Sequence, residues 1–291
     1  MKYKFLILGL LLFSIYSCEY RRSVSKDFMS DLTTKGEGLS CEKVYLSLGE
    51  QEISRNTFIY GEKFSLNFNN LEGFNKENDY AFPGMQLIVV DHAGDTVLQN
   101  KDVYATYTNG IKRSTLLILN ANISVGKPIY SDSYYTLFVK IWDKKGTGKY
   151  TAQLEFDVIP NNTINVEAHN IEFREIYLYS EKRKMAITDN IVQFNDNVHV
   201  IFEGLSGFRE ESEKVFLGLS LKSTDSKGEV ILDERDLIGE RSLDISELKS
   251  QIAPNFIFSG SEIANPVNTE ITIWDKKSDN WIKTFMQLTV E

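Results

Sequence analysis

The residues with chemistry to offer are few and scattered. Histidine stands at His92, His169 and His199, with no His-x-x-x-His spacing to bring two imidazoles onto one metal. The only cysteines are Cys18 and Cys41. The glycines are dispersed and form no phosphate loop, and no Gly-x-Ser-x-Gly nucleophile elbow occurs. Asp91, Asp95, Asp143 and Asp275 fall at expected hairpin turns. Grouped loop carboxylates can hold Ca2+, but these lack the Asp-x-Asp or Asp-x-Asn spacing of a calcium loop. Aspartate at a turn more often hydrogen-bonds the local backbone. The expectation is a chain with no catalytic residues, no metal site and no cofactor. The sharper candidates are Trp142, Trp274, Trp281 and Lys140. Outward aromatics stack on sugar rings or anchor a protein partner; their plainer role is to cover a sheet edge or pack on loops.

Two of those tryptophans sit inside an exact repeat. Ile141-Trp142-Asp143-Lys144-Lys145 returns as Ile273-Trp274-Asp275-Lys276-Lys277. Leu71-Glu72-Gly73-Phe74 returns as Leu205-Ser206-Gly207-Phe208, and Gly84, Gly94 and Asp102 fall on Gly218, Gly228 and Asp236. Tyr45-Leu46 falls on Tyr177-Leu178. Phe64, Leu66 and Phe68 fall on Val198, Val200 and Phe202, and Leu154, Phe156 and Val158 on Met286, Leu288 and Val290. Matching order and spacing at so many positions means one unit written twice.

Within each unit the apolar residues alternate with polar ones. Leu137, Val139 and Ile141 share one face, and Trp142, Lys140 and Thr272 lie on the opposite, outer register. Tyr150 to Val158 keeps period two for nine residues, the pattern of a half-buried strand. Further strands are expected at Val44–Leu48, Phe58–Tyr60, Phe64–Phe68, Met85–Val90, Thr96–Leu98 and Thr115–Leu119, and at the matching places of the second unit. Leu243–Ile252, rich in Leu, Glu and Lys, reads as one short helix. Short strands, frequent turn signals and no long amphipathic helix give an all-β protein: two tandem Ig-like antiparallel β-sandwich domains related by internal duplication. Cys41, aligned with Phe173, reads as a small buried side chain on the first strand.

The first seventeen residues have the form of a secretion signal. Lys2 and Lys4 precede the apolar run Phe5–Phe13, which is too short to span a bilayer, and Ser17 stands directly before Cys18. This resembles the bacterial lipoprotein signal. The resemblance implies cleavage before Cys18, a diacylglycerol thioether on its sulfur and an acyl chain such as palmitate on its amino group. Glu19 is not the aspartate of an inner-membrane retention signal, so the outer membrane is expected. Residues 18–39, polar and without a sustained period, read as a flexible stalk. Domain one is then 40–159, a linker 160–170 and domain two 171–291. The closing hairpin of each unit resembles the last two strands of bacterial Ig-like domains, and the whole is similar to small bacterial lipoproteins built from such tandem domains. That implies architecture and location, not a ligand.

Without residues 1–17 the chain carries 30 basic against 41 acidic side chains. So acidic a globule repels nucleic-acid phosphates and is not drawn to anionic lipid, leaving the acyl anchor to hold it at the membrane. The functional expectation is a lipid-anchored, non-enzymatic binding or scaffolding module of the cell envelope with a protein or glycan partner. The alternative is an enzyme or enzyme-inhibiting module with its site in the cleft between domains.

Overall fold

The computed structural model describes residues 22–27, 31–112 and 118–291. The signal segment and Cys18 lie outside the described residues. In the first half the principal strands are β1 (Arg22–Asp27), β2 (Leu32–Glu37), β3 (Lys43–Leu48), β4 (Lys63–Asn69), β5 (Pro83–Asp91), β6 (Thr96–Asn100), β7 (Leu119–Ser124), β8 (Ser133–Asp143) and β9 (Lys149–Ile159). In the second they are β10 (Ile164–His169), β11 (Glu175–Ser180), β12 (Val198–Glu203), β13 (Leu217–Thr224), β14 (Val230–Glu234), β15 (Val267–Asp275) and β16 (Trp281–Val290). The one helix among the described residues is α1 (Ile245–Ser250), inside the stretch expected to be helical.

Each half is a sandwich, and the two have the same plan. In domain one a sheet in the order β1-β2-β9-β8-β5-β6 faces β7-β4-β3, with Gln51–Ile53 at the edge of the second sheet. In domain two β10-β16-β15-β13-β14 faces a sheet built on β11 and β12. The details repeat as well. Thr57–Ile59 pairs parallel to β9, and Ile191–Val192 pairs parallel to β16. The fold is all-β with two antiparallel sandwiches from one template. The expected alternation places the core: Leu137, Val139, Ile141, Leu154, Phe156 and Val158 are all buried. Phe58 stacks on Phe64 at 4.0 Å between centroids, and both meet Phe156 edge-on. Truncating one such ring to alanine costs about 3–5 kcal/mol.

Two expectations are corrected. The stretch expected to be a flexible stalk, 18–39, contains β1 and β2, and β2 pairs antiparallel with β9 over Leu32–Glu37. Its inward residues are Leu32, Thr34 and Gly36, and a buried threonine and glycine leave no apolar period to read. The expected linker 160–170 likewise holds β10, which pairs with β16 as β2 does with β9; only Asn161–Thr163 turn the chain there. The repeated unit therefore starts earlier than expected, before the leucine-rich first strand. The strand expected at Thr115–Leu119 falls largely outside the described residues, and the paired strand is Leu119–Ser124, opposite β4.

Candidate binding face

The repeated pentapeptide has one structural task per letter, the same in both copies. Ile141 and Ile273 are fully buried core residues. Trp142 lies across from Gly84 on the neighbouring strand, and a Cβ built on that glycine would come within 2.2 Å of Cε2 of the indole. Trp274 covers Gly218 the same way, at 2.0 Å. The bare glycine makes a flat place on the sheet, and the indole fills it. Both tryptophans are on the outer face, half-buried.

The carboxylate of each motif is buried and fully engaged. Asp143 Oδ2 accepts the backbone N–H of Asn75 at 2.6 Å and Oδ1 that of Lys145 at 2.9 Å. Asp275 accepts Arg209 N–H at 2.6 Å, Lys277 N–H at 2.8 Å and the Ser278 hydroxyl at 2.8 Å. Asn75 and Arg209 directly follow the Leu-x-Gly-Phe segments, so this bond ties the two repeated motifs together. Gly73 and Gly207 hold φ of 97° and 96°, and a Cβ on either would lie 2.2 Å from a backbone oxygen, of Gly38 or Asn170. Only glycine fits there.

The first lysine reaches the remaining repeated acid. Lys144 Nζ is 2.8 Å from Asp102, and Lys276 Nζ is 2.7 Å from Asp236. Burial works against ionisation of Asp102. The hydrogen bonds from Lys144 and from the backbone N–H groups of Met85 and Tyr104 outweigh it, and its carboxyl is held below the usual aspartate range. Asp236 is lowered against the same burial by Lys276, Gly239 and Leu219. The second lysine lies over a ring: Lys145 over Phe82 at 4.9 Å, Lys277 over Phe216 at 4.7 Å.

The other polar candidates sit apart. Asp91 Oδ1 accepts the N–H groups of Ala93 and Asp95 at 3.0 Å each, with Gly94 at φ 88°. Asp225 does the same for Lys227 and Glu229 in the second copy. Asp95 is exposed on that turn. Among the described residues no three His, Cys, Asp or Glu side chains come together. His92 is 3.3 Å from the Ser133 hydroxyl, His169 stacks on Trp281, and His199 meets Glu181 at 2.7 Å. Cys41 is half-buried just before β3, which corrects the expected burial on the strand; its counterpart Phe173 is 40% exposed. The thiol donates to the Asn69 carbonyl at 3.1 Å, and burial pushes its pKa up to about 11, leaving a weak nucleophile.

Polar and aromatic side chains of the two domains meet between them. Glu175, 2% exposed, accepts the backbone N–H and hydroxyl of Ser131 at 2.7 and 2.8 Å. Glu203 accepts the hydroxyls of Tyr60 and Tyr177, each at 3.1 Å. Arg174 lies 4.2 Å over the Tyr130 ring.

The outer faces of the two hairpin sheets differ. On β8 the outward residues are Tyr134, Thr136, Phe138, Lys140 and Trp142, with Tyr134 58% and Phe138 39% exposed. Ile88 and Val90 lie opposite Phe138 and Thr136 on β5. The corresponding outward residues of β15 include Glu270, Thr272 and Trp274. Trp281 stands directly across from Trp274, where domain one has Lys149 opposite Trp142. A concavity of about 330 Å³ opens beside Trp142, lined by Gln86, Lys101, Lys140, Gly148 and Lys149. A larger one of about 640 Å³ lies over domain two against Lys222, Asn268, Glu270, Phe285 and Gln287. There Glu270 is already paired with Lys283 at 3.1 Å, and Gln287 with Asn268. Lys101, Gln86 and Lys149 are not marked by any motif. Their signal in the sequence is the reverse of the repeat: Gln86, Lys140 and Lys149 fall on Ser220, Thr272 and Trp281, positions where the copies disagree.

No protein-family model matches the chain, and no curated protein matches it. Among solved structures it is similar to one named pT26-6p, at 8% identity and a TM-score of 0.29, over 93% of this chain and 66% of that one. It is similar to a Bacteroides uniformis beta-glucuronidase at 9% identity and 0.25, over 78% of this chain and 26% of the enzyme. A Salmonella alpha-2-macroglobulin mutant gives 9% identity and 0.21, over 93% and 17%. The chain thus spans less than two thirds of each of these proteins. Likeness at these TM-scores carries no argument about family or activity.

Proposed function

We propose that this chain is a lipid-anchored, non-enzymatic binding module of the cell envelope. Cys18 is its acylated tether, at the outer membrane, and the globule presents its outer sheet faces to a protein or glycan. Its acidity argues against a nucleic-acid partner. The observation that carries the reading is the difference between two copies of one framework. Every letter of the shared motif has a task in folding, whereas the exposed row of Tyr134 and Phe138 beside Trp142 exists in domain one only. In domain two Pro266 and Glu270 stand at those places. Exposed rings that no framework requires are the usual material of a contact surface. Against the alternative, an enzyme between the domains, stands the packing of Glu175, Glu203 and three tyrosines into that space.

The test has two parts. Mass spectrometry of the mature protein is expected to find the amino terminus at Cys18 with acyl chains; an unmodified residue 18 removes the tether. The soluble globule is applied to a glycan array and to envelope extract, beside a panel of hydrolase substrates. Binding that Tyr134→Ser with Phe138→Ser abolishes supports the module. Silence in both binding assays together with turnover of a substrate overturns it.

A further inference from the structure

We infer that the concavity beside Trp142 is a binding site for an anionic sugar, one bearing a carboxylate or sulfate. The inference deepens the reading above and rests on it.

The chain has a net charge of −9, yet this hollow collects Lys101, Lys140 and Lys149, all exposed. Among the described residues no carboxylate lies within ion-pairing distance of any of the three. Asp143, the acid in the lining, has both oxygens committed to backbone N–H groups. Three lysines left unpaired around one hollow of an acidic protein give a local positive potential that nothing in the fold requires. The indole of Trp142, packed over Gly84 on the sheet, lines the same hollow. Gln86 supplies an amide at the side.

An apolar ring plate, an amide and a cluster of ammonium donors together suit a ligand with a ring to stack, hydroxyls to bond and a negative group to pair. The volume, about 330 Å³, lies at the small end of ligand sites, which run from about 300 to 1,000 Å³. The duplication supplies the control. Domain two keeps the Gly218–Trp274 pair and Arg235 in place of Lys101, but has Thr272 for Lys140, Trp281 for Lys149 and Ser220 for Gln86. The framework alone therefore does not bring the lysines.

The experiment is calorimetric titration of the globule, residues 19–291, with galacturonate trimer, a sulfated disaccharide, a neutral hexose trimer and inorganic sulfate. The expected result is binding of the acidic sugars, at least about tenfold weakened by Lys140→Gln with Lys149→Gln and by raised salt. Arg235→Gln, in the domain-two counterpart, leaves it unchanged. Each variant is checked for wild-type unfolding in urea, so that a loss of binding is not a loss of fold. Equal affinity for the neutral trimer, binding of inorganic sulfate as tight as of the sugars, or indifference to the lysine pair overturns the site. If acidic sugars fail while a partner protein binds through Tyr134 and Phe138, this site falls and the binding module stands. Silence in the binding assays together with turnover of a substrate removes both.

Discussion

At the scale of single residues, the buried carboxylates of the motif matter most. Asp143 and Asp275 accept backbone N–H groups from a distant loop and from their own turn. Hydrogen bonds to a charged acceptor are each worth about 1.5–3 kcal/mol, and the orphaned N–H groups add to the loss. Asp143→Ala and Asp275→Ala are each expected to destabilise by about 3 kcal/mol in urea unfolding, with Asn substitutions intermediate. Values within about 0.5 kcal/mol of wild type would show that the loop holds itself. The ion pairs of Asp102 and Asp236 are partly exposed and worth about 1 kcal/mol or less. Their sign with pH is definite. Both carboxyls are lowered in the fold, so their contribution is complete above the unfolded value of about 3.9 and is lost as pH falls through the lower folded value. Lys144→Met with Lys276→Met is expected to flatten the loss of stability as pH falls below about 4.

At the scale of elements, the sheets carry glycine where a side chain would be expected and an indole in its place. Gly84→Ala puts a methyl group into the Trp142 ring, and Gly218→Ala does the same to Trp274. Overpacking of this kind costs about 1–3 kcal/mol. Gly73→Ala is expected to cost more, because its clash is with backbone oxygen and its φ is positive. Gly126, with nothing within 4 Å of a Cβ and no positive φ, is the neutral comparison. Denaturant midpoints of the four variants give the order; equal losses at Gly84 and Gly126 would mean the indole moves aside freely.

At the scale of the molecule, two sandwiches are joined through buried polar groups as well as rings. Burial raises the Glu175 carboxyl above the usual range, despite the Ser131 bonds and Arg174, and Glu203 adds to the rise. Burial beside Glu203 likewise raises the hydroxyls of Tyr60 and Tyr177. A carboxyl raised in the folded state penalises the fold when ionised. The penalty is absent below the unfolded glutamate value of about 4.3 and grows to its full size as pH rises through the folded value, opposite in sign to Asp102. Glu175→Gln is therefore expected to remove a loss of stability on going from mildly acidic to neutral pH. Tyr60→Phe with Ser131→Ala, which takes one side-chain hydrogen bond from Glu203 and one from Glu175 at the interface, is expected to split one denaturant transition into two. The Ser131 backbone bond survives in that variant. A single unchanged transition would show that the domains are coupled elsewhere.

The chain order alone settled the class and the duplication, because both rest on local patterns: period-two alternation in β8 and β9, and a motif whose letters recur at one spacing. It also placed Trp142, Trp274 and Lys140 on an outward register, since residues of an unbroken strand alternate between the two faces. Two things waited for tertiary structure. The strands β2 and β10 are invisible locally, because a strand that buries Thr34 and Gly36 owes its place to hydrogen bonds from a neighbour more than a hundred residues away. The meaning of the motif is equally non-local: Trp142 needs Gly84 beneath it, Asp143 needs Asn75, and Lys101 comes near Lys140 and Lys149 only once β6, β5, β8 and β9 lie side by side. Spacing along a chain records which residues recur, but which of them touch is decided by the register of the sheet.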